Sequence, residues 1–362
     1  MEILFDDIIA LLKKLIQEPS FSKEEKGTAD ILEAFFKGLN IPVLRKDNNV
    51  WVRNRHFVPG KPTILLNSHH DTVRFRSDWT RDPFSATVDN EIIYGLGSND
   101  AGAPLVCLAA AFLKFYDITD LTYNIIFLAS AEEEISGPKG VESVLADLGE
   151  ITFGIVGEPT MMHMAIAEKG LMVLDCVAEG ISGHAAREVG KNAIYIAMED
   201  IAWIRNYEFP KVSEMLGPVK MTVTMIHSGS HHNVIPDKCE YVVDVRSTDR
   251  YTNEEILDIL KKNLKSTVTP RSTRLKPSHI APGHILVKMA EKLGILTFGS
   301  ETLSDQALLP FPTVKIGPGD SKRSHTADEY ILIDEIKAGI NGYHQILEQI
   351  NKSQITKSPN KS

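Results

Sequence analysis

Four short, continuously apolar runs set the first constraint on this chain: Thr63 to Asn67 (TILLN), Asn124 to Ala129 (NIIFLA), Phe153 to Gly157 (FGIVG) and Thr313 to Gly317 (TVKIG). Apolar runs of this length without polar alternation suit strands covered on both faces, as in parallel sheets flanked by helices. Helical stretches intervene over Ala103 to Tyr116 and Gly140 to Asp147, and Asp334 to Ile350 follows the last run. The alternation predicts an α/β fold. The strand ends carry chemistry: Ser68-His69-His70-Asp71, Ser98-Asn99-Asp100-Ala101, Ala131-Glu132-Glu133-Glu134, Gly157-Glu158-Pro159 and Ser324-His325-Thr326-Ala327-Asp328-Glu329. Open α/β sheets gather their ligands outside the carboxyl ends of their strands, so these segments can converge on one site.

The texture changes near Glu168. Leu171 to Ala178, Lys220 to Met225 and Cys239 to Arg246 read as strands, the last two alternating apolar and polar residues. Ala193 to Tyr207 and Asn253 to Leu264 read as helices. Alternation suggests a sheet with one open face. The expected organisation is a catalytic domain formed by 1–167 and 279–350, interrupted by an inserted α+β domain over 168–278. The insertion, about 110 residues, is of ordinary domain size. A polar tail, expected to be disordered, occupies 351–362.

Bulk properties narrow the function classes. With 43% hydrophobic and 24% charged residues over 362 positions, the chain has the composition of a soluble globular protein. A formal charge of -9 argues against a nucleic-acid surface and against binding to anionic membranes. The cysteines Cys107, Cys176 and Cys239 lie far apart in apolar stretches and form no CxxC pair, which argues against a disulfide framework or a thiolate zinc site. An acidic N-terminus and the lack of a long apolar window give an expectation of a cytoplasmic protein without a membrane span.

Two imidazoles and three carboxylates at strand ends suit a pair of borderline-hard divalent cations such as zinc. His69 and Asp71 are two apart, so on extended backbone they share a side, and Asp71 can accept the ring proton that His69 does not use for metal. Asp100 suits a carboxylate shared by two cations; the competing reading is a cap for the helix near Ala103. Three consecutive acids after an apolar strand would repel one another without compensating cations. Glu133 and Glu134 diverge on extended backbone, so one can ligate while the other faces a water. Glu158 and His325 each follow a strand or a rigid turn.

Order, spacing and motifs resemble the co-catalytic zinc amidohydrolase and exopeptidase family that includes acetylornithine deacetylase, succinyl-diaminopimelate desuccinylase, aminoacylases and carboxypeptidase G. The resemblance covers the chain up to its tail. It implies a zinc-exopeptidase-like catalytic domain, with a mixed, mainly parallel sheet, and an inserted lid or dimerisation domain. It implies two zinc ions, with cobalt a workable substitute: His69, Asp100 and Glu158 for one, Asp100, Glu134 and His325 for the other. Glu133 takes the place of the general base and Asp71 that of the residue orienting His69. The family's bridging aspartate is followed by a cis peptide, here Asp100–Ala101. Gly183-His184-Ala185-Ala186 resembles the segment whose histidine stabilises the oxyanion, supplied in dimeric members by the neighbouring subunit. Asn233-Val234-Ile235-Pro236 and Asp244-Val245-Arg246 resemble substrate-binding segments, with Asn233 and Arg246 as contacts and the arginine meeting a carboxylate. Ala101-Gly102-Ala103 departs from the usual Met-Lys-Gly, and Glu132 replaces a common aspartate.

The implied activity is removal of an acyl group from a small-molecule N-acyl-amino acid. The stretch Gly317 to His325 with Asp328-Glu329-Tyr330 resembles acetylornithine deacetylases, so N-acetyl- or N-succinyl-ornithine and a role in arginine biosynthesis are the leading expectation. Lys169, Arg187 and Arg323 are the cations available to a succinyl tail. Succinyl-diaminopimelate desuccinylase and a di- or aminopeptidase are the enzyme alternatives. A zinc-binding scaffold that lost turnover is the non-enzyme alternative. A homodimer through the inserted domain is also expected.

Overall fold

The long sheet of the first unit explains how distant segments meet. In a computed structural model, which describes residues 4–187 and 189–353, the chain divides into two compact units. One runs through Ile166 and resumes over Ile280–Phe298 and from Ser304 onward; the other comprises Ala167–His279 and Gly299–Leu303.

In the first unit the strands Val43–Lys46, Asn49–Arg53, Asn124–Ser130, Thr63–His69, Phe153–Val156 and Thr313–Lys315 lie side by side in that order. The last four run parallel, and the first two join them antiparallel. Thr63–His69 and Asn124–Ser130 are buried along their whole length, as their unbroken apolar sequence requires. Helix Ala103–Phe115 is apolar all round and buried everywhere except Lys114, whereas Phe5–Gln17 and Ile333–Lys352 bury one stripe each. Because the four central strands are parallel, their carboxyl ends share one edge. His69 ends one strand, Glu133 and Glu134 follow the next, and Glu158 follows the third. The fold is α/β with a mixed sheet, and its site edge is built by chain direction alone.

The second unit has an antiparallel sheet in the order Lys220–Ser228, Lys238–Ser247, Gly170–Glu179, Thr267–Pro270. Alternate residues Met172, Leu174, Cys176 and Ala178 are buried, with Cys239, Tyr241, Val243 and Val245 from the neighbouring strand. They pack with Ile196, Ala197 and Ile204 of helix Ala193–Asn206 and with Ile256 and Leu260 of helix Asn253–Asn263. Period-two burial is the signature of a sheet with one covered face. Asn253–Asn263 starts at a reciprocal cap: the Thr252 hydroxyl accepts from Glu255 N–H at 3.1 Å, and the Glu255 carboxylate accepts from Thr252 N–H at 2.8 Å. Thr252→Ala is expected to cost about 1 kcal/mol, read as earlier urea unfolding of this unit. An unchanged midpoint would show that the cap contributes nothing there.

Boundaries differ from expectation: the second unit spans Ala167–His279 rather than 168–278. The second unit also takes in Gly299–Leu303, because Lys169 N–H donates to the Ser300 carbonyl at 3.0 Å. The last helix extends to Lys352, two residues into the segment expected to be a tail, and residues from 354 on lie outside those described. Gly140 to Asp147 forms a 3-10 turn, Val141–Val144, and a single α turn, Leu145–Leu148, rather than one helix.

Candidate metal centre

All seven side chains expected at the metals converge in the first unit. Asp100 lies between two histidines: one carboxylate oxygen is 3.3 Å from His69 Nε2 and the other 3.7 Å from His325 Nε2. Glu158 stands 3.8 Å from His69 Nε2, and Glu134 3.0 Å from His325 Nε2. His325 pairs with Glu134, His69 has Glu158 beside it, and both histidines share Asp100. Glu133 also reaches to 3.8 Å of His69 Nε2. Ligand atoms of His69, Asp100 and Glu134 lie within 4.8 Å of one another, and so do those of His69, Glu133 and Glu158. Proximity alone makes Glu133 as near to the first histidine as Glu158.

The surroundings fix these groups. His69 Nδ1 lies 2.9 Å from the Asp71 carbonyl and 3.5 Å from its carboxylate, so the main chain is the nearer partner for the ring N–H. The Asp71 carboxylate instead accepts from Ser22 Oγ at 2.7 Å and from the backbone N–H of Glu133 and Glu134 at 3.0 and 3.2 Å. It holds the acidic turn in place, which its sequence spacing from His69 did not reveal. Glu132 adopts φ 54° and turns its carboxylate to Lys139 N–H at 3.2 Å, away from the cluster. A Cβ on Gly137 would fall 1.9 Å from that carboxylate, so only glycine fits there. His70 is buried against Thr28 Oγ1 at 2.8 Å and the Asn48 carbonyl at 2.9 Å. Burial holds its ring down at about 4.

Two further carboxylates lie near the cluster: Asp305, in no segment that the sequence marked, and Glu329, in a marked segment but with no role assigned to it. Asp305 accepts from Ser130 Oγ at 2.6 Å and Asn67 Nδ2 at 2.8 Å. Glu329 accepts from the backbone N–H of Gly97, Asn99 and Asp100. The peptide Asp100–Ala101 is cis.

Burial and mutual repulsion among the acids drive their protonation. Burial raises Glu133 well above the usual carboxylate range, and Glu158, Asp305 and Glu134 add to this against the opposing pull of His69. Burial pushes Glu158 up to about 8 and, with Asp100 beside it, Glu329 up to about 8. The hydrogen bond with Glu134 pushes His325 up to about 9. Asp100 is held below its ordinary value: burial opposes this, but the hydrogen bond and charge of His69 win. A cluster that holds extra protons in this way is short of positive charge, and divalent cations supply it. Oxygen and imidazole donors at these separations fit that role.

The residues expected to contact substrate lie in the second unit. His184 sits on a two-residue bridge, Gly183–His184 against Val234–Ile235, and its Nδ1 accepts from Ala186 N–H at 3.1 Å, leaving Nε2 to carry a proton when the ring is neutral. The Asn233 carbonyl accepts from Ala185 N–H at 2.9 Å, which joins the two segments. Arg246 makes a two-point pair with Asp244, at 2.9 and 3.1 Å, on the same face of one strand. Among the cations considered for an acyl tail, Arg323 is committed to a two-point pair with Glu335 and buried Lys169 reaches Glu301 at 3.7 Å.

The chain is similar to known proteins. An acetylornithine deacetylase of Pectobacterium carotovorum is 31% identical over 77% of this chain and 78% of its own. A succinyl-diaminopimelate desuccinylase of a Ruegeria species is 24% identical over 94% of both chains. The structure of a dinuclear metal-binding peptidase of the M20 family from Bacillus subtilis superposes with a TM-score of 0.71 at 16% identity, over 96% of this chain and 98% of that one. The model of Peptidase family M20/M25/M40 matches residues 65–349. With that match, and with two histidines sharing one aspartate at the carboxyl edge of the sheet, the chain belongs to Peptidase family M20/M25/M40 and is a metal-dependent hydrolase of amide bonds.

Proposed function

We propose that the chain removes the acyl group from an N-acyl-amino acid, N-acetyl- or N-succinyl-ornithine, in arginine biosynthesis, using two zinc ions that cobalt can replace. The observation that carries the proposal is the placement of the Asp100 carboxylate between His69 and His325, each with a glutamate beside it. His69, Glu158 and Asp100 hold one cation; His325, Glu134 and Asp100 hold the other. When bound, such a pair lowers the pKa of a water and polarises the scissile carbonyl. Glu133 accepts the proton of the attacking water and delivers it to the departing amine. Asp71 orients His69 and keeps the turn bearing Glu133 and Glu134 in register with it. His184 donates its Nε2 proton to the tetrahedral oxyanion. Asn233 and Arg246 bind the amino-acid part, with the guanidinium meeting its carboxylate.

The acyl-ornithine reading is supported by similarity to acetylornithine deacetylases, among them the Pectobacterium protein. A desuccinylase acting on N-succinyl-diaminopimelate is the second reading, favoured by the Ruegeria relative matched over 94% of the chain. Steady-state kinetics on N-acetyl-ornithine, N-succinyl-ornithine and N-succinyl-diaminopimelate decide between them. A kcat/KM at least about tenfold higher for one of the acyl-ornithines, roughly 1.4 kcal/mol of discrimination, is expected. The reverse order assigns the desuccinylase. The enzyme acts in the cytoplasm as a homodimer through the inserted unit, with His184 supplied across the dimer. A protein that stays monomeric by mass photometry at working concentration removes that route for His184.

A further inference from the structure

We propose that Glu329 is a positioning residue for the shared aspartate: its carboxylate fixes the backbone on which Asp100 reaches both cations. Glu329 is 2% exposed, and its carboxylate faces backbone N–H groups. One of its oxygens accepts from Asn99 N–H and Asp100 N–H, both at 2.9 Å, and the other from Gly97 N–H at 3.1 Å. Its own carbonyl accepts from Gly95 N–H at 2.9 Å. Four groups of one six-residue approach are therefore tied to a single side chain and its main chain. Gly97, at φ +75°, has the left-handed backbone that turns its N–H toward this carboxylate.

The same turn reaches the chain that leads to the second histidine. Glu329 lies four positions after His325, and Asn99 fixes the chain ahead of that histidine, at Asp320. The Asn99 amide accepts from Asp320 N–H at 3.0 Å and donates to the Asp320 carbonyl at 3.1 Å. Asn99 N–H, in turn, is held by Glu329. The Glu329 carboxylate thus holds the N–H groups of Asn99 and Asp100, while the Asn99 side chain holds Asp320, five positions before His325. A carboxylate is the group this position needs, because three convergent N–H donors require acceptors on both oxygens. Glutamine would present an NH2 group to at least one of them and leave a buried N–H without an acceptor. Placing another anion beside an acidic cluster is otherwise unfavourable, which argues that geometry is what it supplies.

This inference rests on the two-cation reading but not on the identity of the acyl substrate. The test is titration of the stripped protein with Co2+, followed by calorimetry and visible absorption, alongside kcat and KM for whichever amide the wild type hydrolyses best. Glu329→Gln is expected to bind Co2+ about 10–100-fold more weakly and to lose kcat by a similar factor, with KM changed less than about twofold. Glu329→Asp, which keeps two acceptor oxygens on a shorter stem, should recover part of both losses and alter the absorption bands. Asp328→Asn is the control: Asp328 accepts from Thr80 and Arg81 and does not touch the Gly97 to Asp100 turn. It should titrate as wild type does. Glu329→Gln that takes up two equivalents with wild-type affinity and spectrum overturns the proposal, even if its melting temperature falls. If Glu329→Gln does not fold, Glu329→Asp with wild-type titration and kcat overturns it equally. Weakened Co2+ binding in a protein that hydrolyses no acyl-ornithine leaves Glu329 positioned as proposed and removes only the substrate assignment.

Discussion

Glu133→Gln is expected to keep both cations and to lose turnover by at least about a hundredfold, within the range that general acid–base groups supply. The substitution preserves size and one carbonyl oxygen but removes the ability to accept a proton. Geometry alone leaves room for a different role, since Glu133 lies as close to His69 Nε2 as Glu158 does, at 3.8 Å. Its environment favours the base. Burial among Glu158, Asp305 and Glu134 raises its affinity for a proton, which brings an acceptor carboxylate nearer to neutral pH. Glu134, by contrast, is paired with His325 at 3.0 Å, as a ligand of the same ion would be. Elemental analysis with single-turnover kinetics separates the two roles. Glu133→Gln should retain the wild-type metal content while Glu134→Gln loses metal. If Glu133→Gln also loses an equivalent, Glu133 is a ligand and the base must be sought elsewhere.

The legible parts of this molecule are those in which one local pattern has one physical cause. Thr63–His69 and Asn124–Ser130 could be read as buried strands because burial on both faces leaves no polar positions. Once those strands run parallel, His69, Glu133, Glu134 and Glu158 fall on one edge without further information. The antiparallel pair Val43–Lys46 and Asn49–Arg53 was not legible, because Arg45, Lys46 and Arg53 break any apolar run. Helix Lys26–Gly38 begins and ends near glycines, which weaken its signal. Asp71 shows how spacing can single out a residue and still miss part of what it does. Its carboxylate holds the backbone of Glu133 and Glu134, more than sixty positions away. Asp305 was out of reach for the same reason, and Glu329, though it stands in the marked segment after His325, could not be given its role. Their partners, Asn67, Ser130 and the Gly97 to Asp100 turn, are remote in sequence, and no periodicity marks a lone acid that folds onto a distant main chain.

Removing the cations should abolish amide hydrolysis and, in the same protein, invert the usual expectation that stability holds up between pH 5 and 9. Among the groups with raised folded-state pKa values, four titrate within this window: Asp305 at about 6, Glu158 and Glu329 at about 8, and His325 at about 9; Glu133, Glu134 and His69 are raised too and act in the same sense. A group that binds its proton more tightly when folded stabilises the fold fully below its unfolded pKa. That stabilisation is lost as pH rises through the folded value. For the three carboxyls the loss begins above about 4, and for His325 above about 6.5. All four act in the same direction. Asp71 and Asp100, whose values are lowered, act in the opposite sense below about 4, and buried His70 and half-buried His344, held down at about 4, with His284 also lowered, add stability as pH rises to about 6.5. Above that point the stripped protein should therefore melt at progressively lower temperature up to pH 9. Divalent cations replace the protons that these groups would otherwise hold. The loaded protein should show little decline over the same range, and its stability at pH 8 should exceed that of the stripped form by about 2.7 kcal/mol for each site held at a hundredfold its Kd. Calorimetry of chelated and reloaded samples at pH 5, 7 and 9 reads both effects. A stripped protein whose melting temperature stays level or rises from pH 7 to 9 would show that the cluster is not short of positive charge, and that observation would undo the case for two cations at Asp100.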